Sequence, residues 1–353
     1  MNRASSTGQQ ANQIEPHHRD AEQVTMPEMS SLHLNTPLRD SVPMSKLSKT
    51  KIYLKLDNAQ PTGSFKIRGI GHLCKTWAKR GCKHFVCSSG GNAGLAAAYS
   101  ARMLSIPATI LVPVTTPAFT IQRVKDEGAI VSVVGEILDE TIEHAKELVR
   151  NNPGWVYIPP FDDPLIWEGH TSLVKEIKEG LPAKPGAIAL SVGGGGLLCG
   201  VVQGLHEVGW SDVPIIAMET IGAHSLHAAL EAGKLVTLPE ITSVAKTLGA
   251  KTVGAQTLKV AQEHPVFSEV ISDQEAVGAI EKFLDDEKML VEPACGAALA
   301  VVYSDVVGKL QKEGKLNQDL SSLVIIVCGG NNITLTQLFR LQLELGMKSN
   351  LAT

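Results

Sequence analysis

A lysine, two glycine-rich loops and a thiol are the residues whose types and spacing can do chemistry. Lys66 follows the turn Gln60-Pro61-Thr62-Gly63 in the run Ser64-Phe65-Lys66-Ile67-Arg68-Gly69, which reads as the first turn of a helix. The positive end of a helix disfavours an ammonium. Burial acts in the same direction, lowering the amine pKa and favouring imine formation with an aldehyde. A lone lysine is more commonly a solvated surface residue, so this segment alone leaves both readings open. The second segment is Ser88-Ser89-Gly90-Gly91-Asn92-Ala93-Gly94, where a strand ends and a helix starts near Asn92. Its backbone N–H groups and hydroxyls can hold a carboxylate or phosphate. A tight turn with Asn92 as a plain helix cap fits as well.

The third segment, Ser191-Val192-Gly193-Gly194-Gly195-Gly196-Leu197, carries four consecutive glycines between an apolar strand and a helix. Glycine runs are entropically costly, and here several N–H groups can converge on a phosphate at a helix N-terminus, a better account than a flexible linker. No Gly-Lys-Ser/Thr follows, and the run matches the dinucleotide fingerprint poorly. The fourth, Cys328-Gly329-Gly330-Asn331-Asn332, closes an apolar strand; its thiol can meet a ring nitrogen or simply pack. The 11 histidines form no HExxH or other ligand-spaced group, which disfavours a zinc hydrolase. His170 reads as a base or as a hydrogen-bonded core residue. Asp285-Asp286-Glu287-Lys288 reads as a solvated helix end, and no GxSxG elbow is present.

The elements that must position these residues are short apolar runs at 52–56, 85–88, 108–112, 130–134, 188–192, 215–218 and 323–327. Helix-length stretches, such as 92–104, 139–150 and 197–208, lie between most of them. Strands apolar throughout belong to parallel sheets covered on both faces, so the chain is expected to be α/β. Ligands in such folds bind at the carboxyl ends of strands, where the glycine loops lie. Residues 1–31 are polar and aperiodic and read as a disordered tail. The 353 residues suffice for two domains, with 44% hydrophobic and 19% charged residues. A net charge of -4 gives no reason to expect nucleic acid, and no apolar run approaches the roughly 20 residues that span a bilayer. The six cysteines lack CxxC spacing and read as buried reduced thiols. An N-terminus without an apolar core but with Glu15, Asp20, Glu22 and Glu28 argues against a secretory or mitochondrial leader, giving a cytoplasmic expectation.

Taken in order, PTGSFKIRG, SSGGNAG, SVGGGGL and VCGGNN strongly resemble the fold-type II pyridoxal-phosphate enzymes, related to tryptophan synthase β chain. Within that group the chain is similar to the L-serine/L-threonine dehydratases, specifically the animal serine dehydratase and serine dehydratase-like branch. The resemblance runs from about Leu32 to Gly346 and includes FDDPLIWEGHTSLV, IIAMETIGAHS and LVEPACGAALA. It implies a tryptophan synthase β-like fold with two open, mostly parallel sheets flanked by helices. A small domain, 58–162, would be inserted in a large cofactor domain of 32–57 and 163–346, with 347–353 a C-terminal tail.

The resemblance also implies roles. Lys66 and Ser89 would be the catalytic candidates, Lys66 as the Schiff-base lysine and then the base for the Cα proton. Phe65 would stack on the pyridoxal ring, Asn92 would bond its phenolic oxygen and Cys328 would face its nitrogen. Gly193, Gly194, Gly195, Gly196 and Leu197 would hold the phosphate, and Ser88, Ser89, Gly90, Gly91 and Asn92 the substrate carboxylate. A thiol does not enforce a protonated pyridine, which favours prompt β-elimination over transamination, with the cofactor phosphate as acid for the leaving hydroxide. The implied products are pyruvate or 2-oxobutanoate with ammonia, in amino-acid metabolism and gluconeogenesis. Family members bind a monovalent cation, which the resemblance implies is K+; Glu219 and the backbone oxygens of Gly193, Ala223, Leu248 and Ala250 are the matching positions. A homodimer is implied too. Serine racemase, β-replacement on the same scaffold and a weakly active cofactor-binding homologue are the alternatives. Gly90 stands where the more active branch has alanine, so Gly90→Ala is expected to turn over faster. Thr247 stands where some members have alanine, with no expectation attached.

Overall fold

A computed structural model describes Met1, residues 30–136 and residues 138–347. The expected tail lies almost wholly outside the described residues, as do residues 348–353. From Ser31 onward the chain forms one compact unit.

Ten strands occur among the described residues: β1 Leu38–Asp40, β2 Ile52–Lys55, β3 His84–Cys87, β4 Ala108–Val112, β5 Ile130–Val133, β6 Trp155–Ile158, β7 Ala187–Ser191, β8 Ile215–Thr220, β9 Val266–Ile271 and β10 Leu323–Ile326. They make two sheets, one of six strands in the order β1-β2-β10-β7-β8-β9 and one of four in the order β5-β4-β3-β6. Every pairing is parallel except β1 with β2, where Leu38 faces Lys55. The α/β expectation is therefore met. The apolar runs appear as strands within a residue or two of their expected bounds. β3, β4, β7, β8 and β10 are buried along their whole length, as strands covered on both faces must be.

The four-stranded sheet falls entirely within residues 58–162 and the six-stranded sheet entirely outside them. Each sheet has its own apolar cluster. Helix Pro293–Tyr303 is buried along nearly its whole length against the larger sheet. Ile67, Ile70 and Leu73 of helix Lys66–Lys79 pack with Phe85, Ala97 and Ile110 beside the smaller one. No single helix among the described residues is long and apolar enough to cross a membrane. All six cysteines are free and five are buried, as expected; Cys82 is partly exposed.

Two readings need correction. The acidic run at 285–288 is not simply solvated: it ends helix Asp273–Glu287, but Glu287 accepts from Arg39 and from Ser41 Oγ at 2.5 Å, tying that helix end to β1 and the start of helix Val42–Ser48. Strands β1, β6 and β9 were not anticipated. β1 (LRD) and β9 (VFSEVI) are broken by charged or polar residues and so lack the continuous apolar run that marks a covered strand, whereas β6 (WVYI) is apolar throughout and was missed only for its shortness, at four residues.

Candidate active site

The site forms where strand ends of both sheets face one another, the position at which open α/β sheets bind ligands. Helix Lys66–Lys79 begins at Lys66, with Phe65 as its cap residue. The preceding turn is tied to the end of β10, since Phe65 N–H donates to Cys328 O at 2.9 Å and Ser64 bridges Gly329. The Lys66 amine donates to Pro160 O at 2.6 Å, just beyond β6, and lies 5.2 Å from the Phe65 ring centroid. The side chain keeps some exposed surface, yet its amine end is packed among protein atoms. That desolvation lowers its pKa from the ordinary value to about 8, against the opposing influence of the Cys87, Glu292 and Cys328 acids. Burial is the one lowering cause that the structure shows.

Phe161, the next residue after the Lys66 acceptor, backs the tetraglycine loop. A Cβ on Gly194 would lie 2.4 Å from the Phe161 ring, and one on Gly196 2.5 Å from Phe161 O. Gly195 has φ +92 and would drive a Cβ to 2.1 Å from Thr257, so only glycine fits. Helix Gly196–Glu207 starts at once, so the N–H groups of its first turn have no acceptor within the helix. Leu197 is 4% exposed and can contribute only its backbone. The loop and the amine are thus joined through two consecutive residues, Pro160 and Phe161.

The third loop follows β3. Ser89 Oγ accepts from Gly91 N–H at 3.3 Å, while Ser88 Oγ bonds Tyr157 of β6 at 2.7 Å. Ser88 is therefore committed to the sheet, and Ser89 with the N–H groups of the loop remains for a carboxylate. Asn92 opens helix Asn92–Leu104 and donates through Nδ2 to Glu292 Oε1 at 2.7 Å; its buried Oδ1 has no partner among the described residues. Asn92 was expected here, but Glu292 was not. It is 3% exposed and also accepts from Thr247 Oγ1 at 2.9 Å and from Asn332 N–H at 3.3 Å. Burial raises its pKa despite these donors. Its LVEPACG context offered no spacing rule, because its partners come from three distant segments. Thr247, left without a role above, is one of them.

Cys328 closes the ring of residues, with Sγ 3.5 Å from Ser191 Oγ at the base of the glycine loop. Pairing with Cys295 and burial push its titration well above the usual thiol range, so the thiol stays neutral. His170 packs its ring 5.1 Å from that of Phe65, and burial pushes its pKa well down. It therefore stays neutral, with Nδ1 lacking a partner among the described residues. Among the described residues, no group of three His, Cys, Asp or Glu side chains is placed to hold a metal ion. The expected cation set is of another kind. Glu219 is fully buried, its oxygens accept from Leu226 and His227 N–H at 2.9 and 2.8 Å, and burial raises its pKa to about 8. Gly193 and Leu248 abut, a Cβ on Gly193 falling 3.2 Å from Leu248 O.

The residues fit pyridoxal phosphate: a depressed amine, a glycine cradle walled by Phe161 and Thr257, a neutral thiol and an Asn92 Oδ1 without a partner among the described residues are linked by contacts through Pro160, Phe161, Ser191 and Glu292. Comparison with known proteins agrees. The chain is 73% identical over 320 residues to the human L-serine dehydratase/L-threonine deaminase, covering 91% of this chain and 98% of that one. It is 59% identical to the mouse serine dehydratase-like protein, over 89% and 95% of the two chains. The crystal structure of a fungal L-serine ammonia-lyase from Rhizomucor miehei superposes with a TM-score of 0.83 at 37% identity, covering 89% of this chain and 99% of that one. Maize serine racemase follows at 0.79 and 27%, over 89% and 93%. Residues 29–329 match the family described as pyridoxal-phosphate dependent enzyme, and to that family this chain belongs.

Proposed function

We propose that the protein removes water from L-serine and L-threonine, yielding pyruvate or 2-oxobutanoate together with ammonia. The observation that carries this reading is the Lys66 amine, lowered to about 8 and bonded to Pro160 O beside the glycine cradle. Bound there, pyridoxal phosphate supplies an electron sink for charge developing at Cα. Lys66 would hold it and take the Cα proton, a role that needs a neutral amine near working pH. Phe65 would lie against the ring. The N–H groups of Gly193, Gly194, Gly195, Gly196 and Leu197 would take the phosphate, and the uncharged Cys328 thiol the ring nitrogen. Ser89, Gly90, Gly91 and Asn92 would bind and orient the substrate carboxylate. Glu292 holds the Asn92 amide in place.

A monovalent cation, K+ by its preference for oxygen ligands, would sit against Glu219 with the backbone oxygens of Gly193, Ala223, Leu248 and Ala250. The support is a buried carboxylate that no Lys, Arg or His pairs with among the described residues. We extend the reading to a homodimer serving amino-acid breakdown toward gluconeogenesis, on the strength of the motif resemblance, and to the cytoplasm, which its free thiols support. Gly90, lacking a side chain, cannot supply the second proton-transfer group that a racemase needs on the opposite substrate face.

The test is an assay of the purified full-length protein with L-serine and L-threonine, with and without K+. Oxo-acid release, stimulated by K+ and abolished together with the visible cofactor absorbance in Lys66→Ala, is the expected result. D-Serine without pyruvate would move the assignment to racemisation.

A further inference from the structure

Arg123 takes no part in the reading above, yet it reaches across the site. It lies exposed on helix Ala118–Asp126, beside the smaller sheet. Its guanidinium donates to Asn331 O at 2.7 Å and to Asn331 Oδ1 at 2.5 Å. Both acceptors are neutral and belong to the loop that leaves β10 of the larger sheet. A planar fork meets two such acceptors at once, which an ammonium does not.

Asn331 passes the contact on. Its Nδ2 donates to Thr62 O, and its side chain fills the space over Gly63, where a Cβ would lie 2.3 Å away. Gly330 N–H donates to Gly63 O at 3.1 Å and Phe65 N–H to Cys328 O at 2.9 Å, so the turn before Lys66 is zipped to this loop. The small cleft beside the fork is lined by Gly90, Gly91, Asn92, Leu95 and Asn332 as well as by Arg123. One side chain therefore touches a helix of the smaller sheet, the Cys328 loop and, through Asn331, the Lys66 turn.

We propose that Arg123 is a positioning residue: through Asn331 it clasps helix Ala118–Asp126 to the Lys66 turn, so that closure of the substrate loop and setting of the amine occur as one event. This rests on the reading that residues 89–92 receive the substrate. Arg123 is exposed, so its removal leaves the core intact.

The experiment compares Arg123→Ala, Asn331→Ala and the double variant in the full-length protein by hydrogen exchange and by kinetics with L-serine. Loss of the clasp speeds exchange at the Phe65 and Gly330 amides and raises KM by about tenfold, the size of a lost charged hydrogen bond, with kcat changing less. The double variant is expected to be no worse than the more impaired single one, because both act through one contact. Unchanged exchange at Phe65 and Gly330 in Arg123→Ala overturns the clasp whatever happens to turnover. Faster exchange with KM within about twofold of the parent severs it from substrate binding, and fully additive effects overturn the route through Asn331. If the parent protein releases no oxo acid while exchange still quickens, the proposed reaction fails and the mechanical clasp stands.

Discussion

Lys66 shows how one residue's chemistry depends on its packing. Burial lowers its pKa to about 8, so between that value and its ordinary 10.5 the unfolded chain binds the proton that the folded chain has lost. Stability contributed by this group therefore rises with pH through that window, and below it the buried charge opposes folding. Capture of pyridoxal phosphate by protein freed of it needs the neutral amine, so the capture rate should climb with pH around a midpoint of about 8. Stopped-flow absorbance measures this, and a midpoint above 10 would mean the amine is not desolvated. Gly90 is a second case. A methyl there would lie 2.7 Å from Thr116 Cγ2 and 3.1 Å from Val112 Cγ1, on the β4 side of the loop. Gly90→Ala would thus act by restraining the loop, with Thr116 turning aside. We expect kcat roughly two- to fivefold higher, matching about 0.4–1 kcal/mol of loop entropy removed in advance. An unchanged or lower kcat in steady-state assays refutes this. Lys66, Asn92 and the glycines were legible because each answers a local demand, a turn or a helix start. Glu292 was not, since an isolated acidic residue carries no pattern.

At the scale of elements, the start of helix Lys66–Lys79 is held by a buried charge network. Arg68, two residues after the amine, meets Asp57 through Nε at 2.7 Å and Nη2 at 2.8 Å, and Glu176 through Nη1 at 2.5 Å. Lys55 of β2 donates to Glu176 at 2.6 Å and Thr36 to Asp57 at 2.7 Å. The two cations and two carboxylates balance, which is what allows Arg68 and Asp57 to be fully buried. Arg68→Met should cost about 3–5 kcal/mol, because two carboxylates would be left short of a cation. Urea denaturation reads this directly, and a loss under about 1 kcal/mol would show that water or rearrangement replaces the cation. The helices at Asn92–Leu104 and Gly196–Glu207 were readable to within a residue, since glycine or a small polar residue marks each start. β1 and β9 lie at the edges of the larger sheet, and exposure on one side admits the polar residues that dilute the apolar signal of central strands.

At the scale of the molecule, two sheets present their strand ends to a shared cleft. β3, β6, β7 and β10 deliver the Ser88–Asn92 loop, the Pro160 acceptor, the glycine loop and the thiol. Composition and strand pattern determined the α/β class, because apolar runs must be covered on both faces. The order of the four motifs determined the family and singled out Lys66 and the glycine loop as candidates. Those features depend on neighbouring residues, so a linear chain displays them. Tertiary structure alone decided that Glu292 would hold Asn92 across 200 positions and that Arg123 would grip Asn331 across 208. Partners so far apart meet only when the order of strands in the sheets is set. A hydrogen bond, effective over about 3 Å, leaves no trace in sequence at such separations.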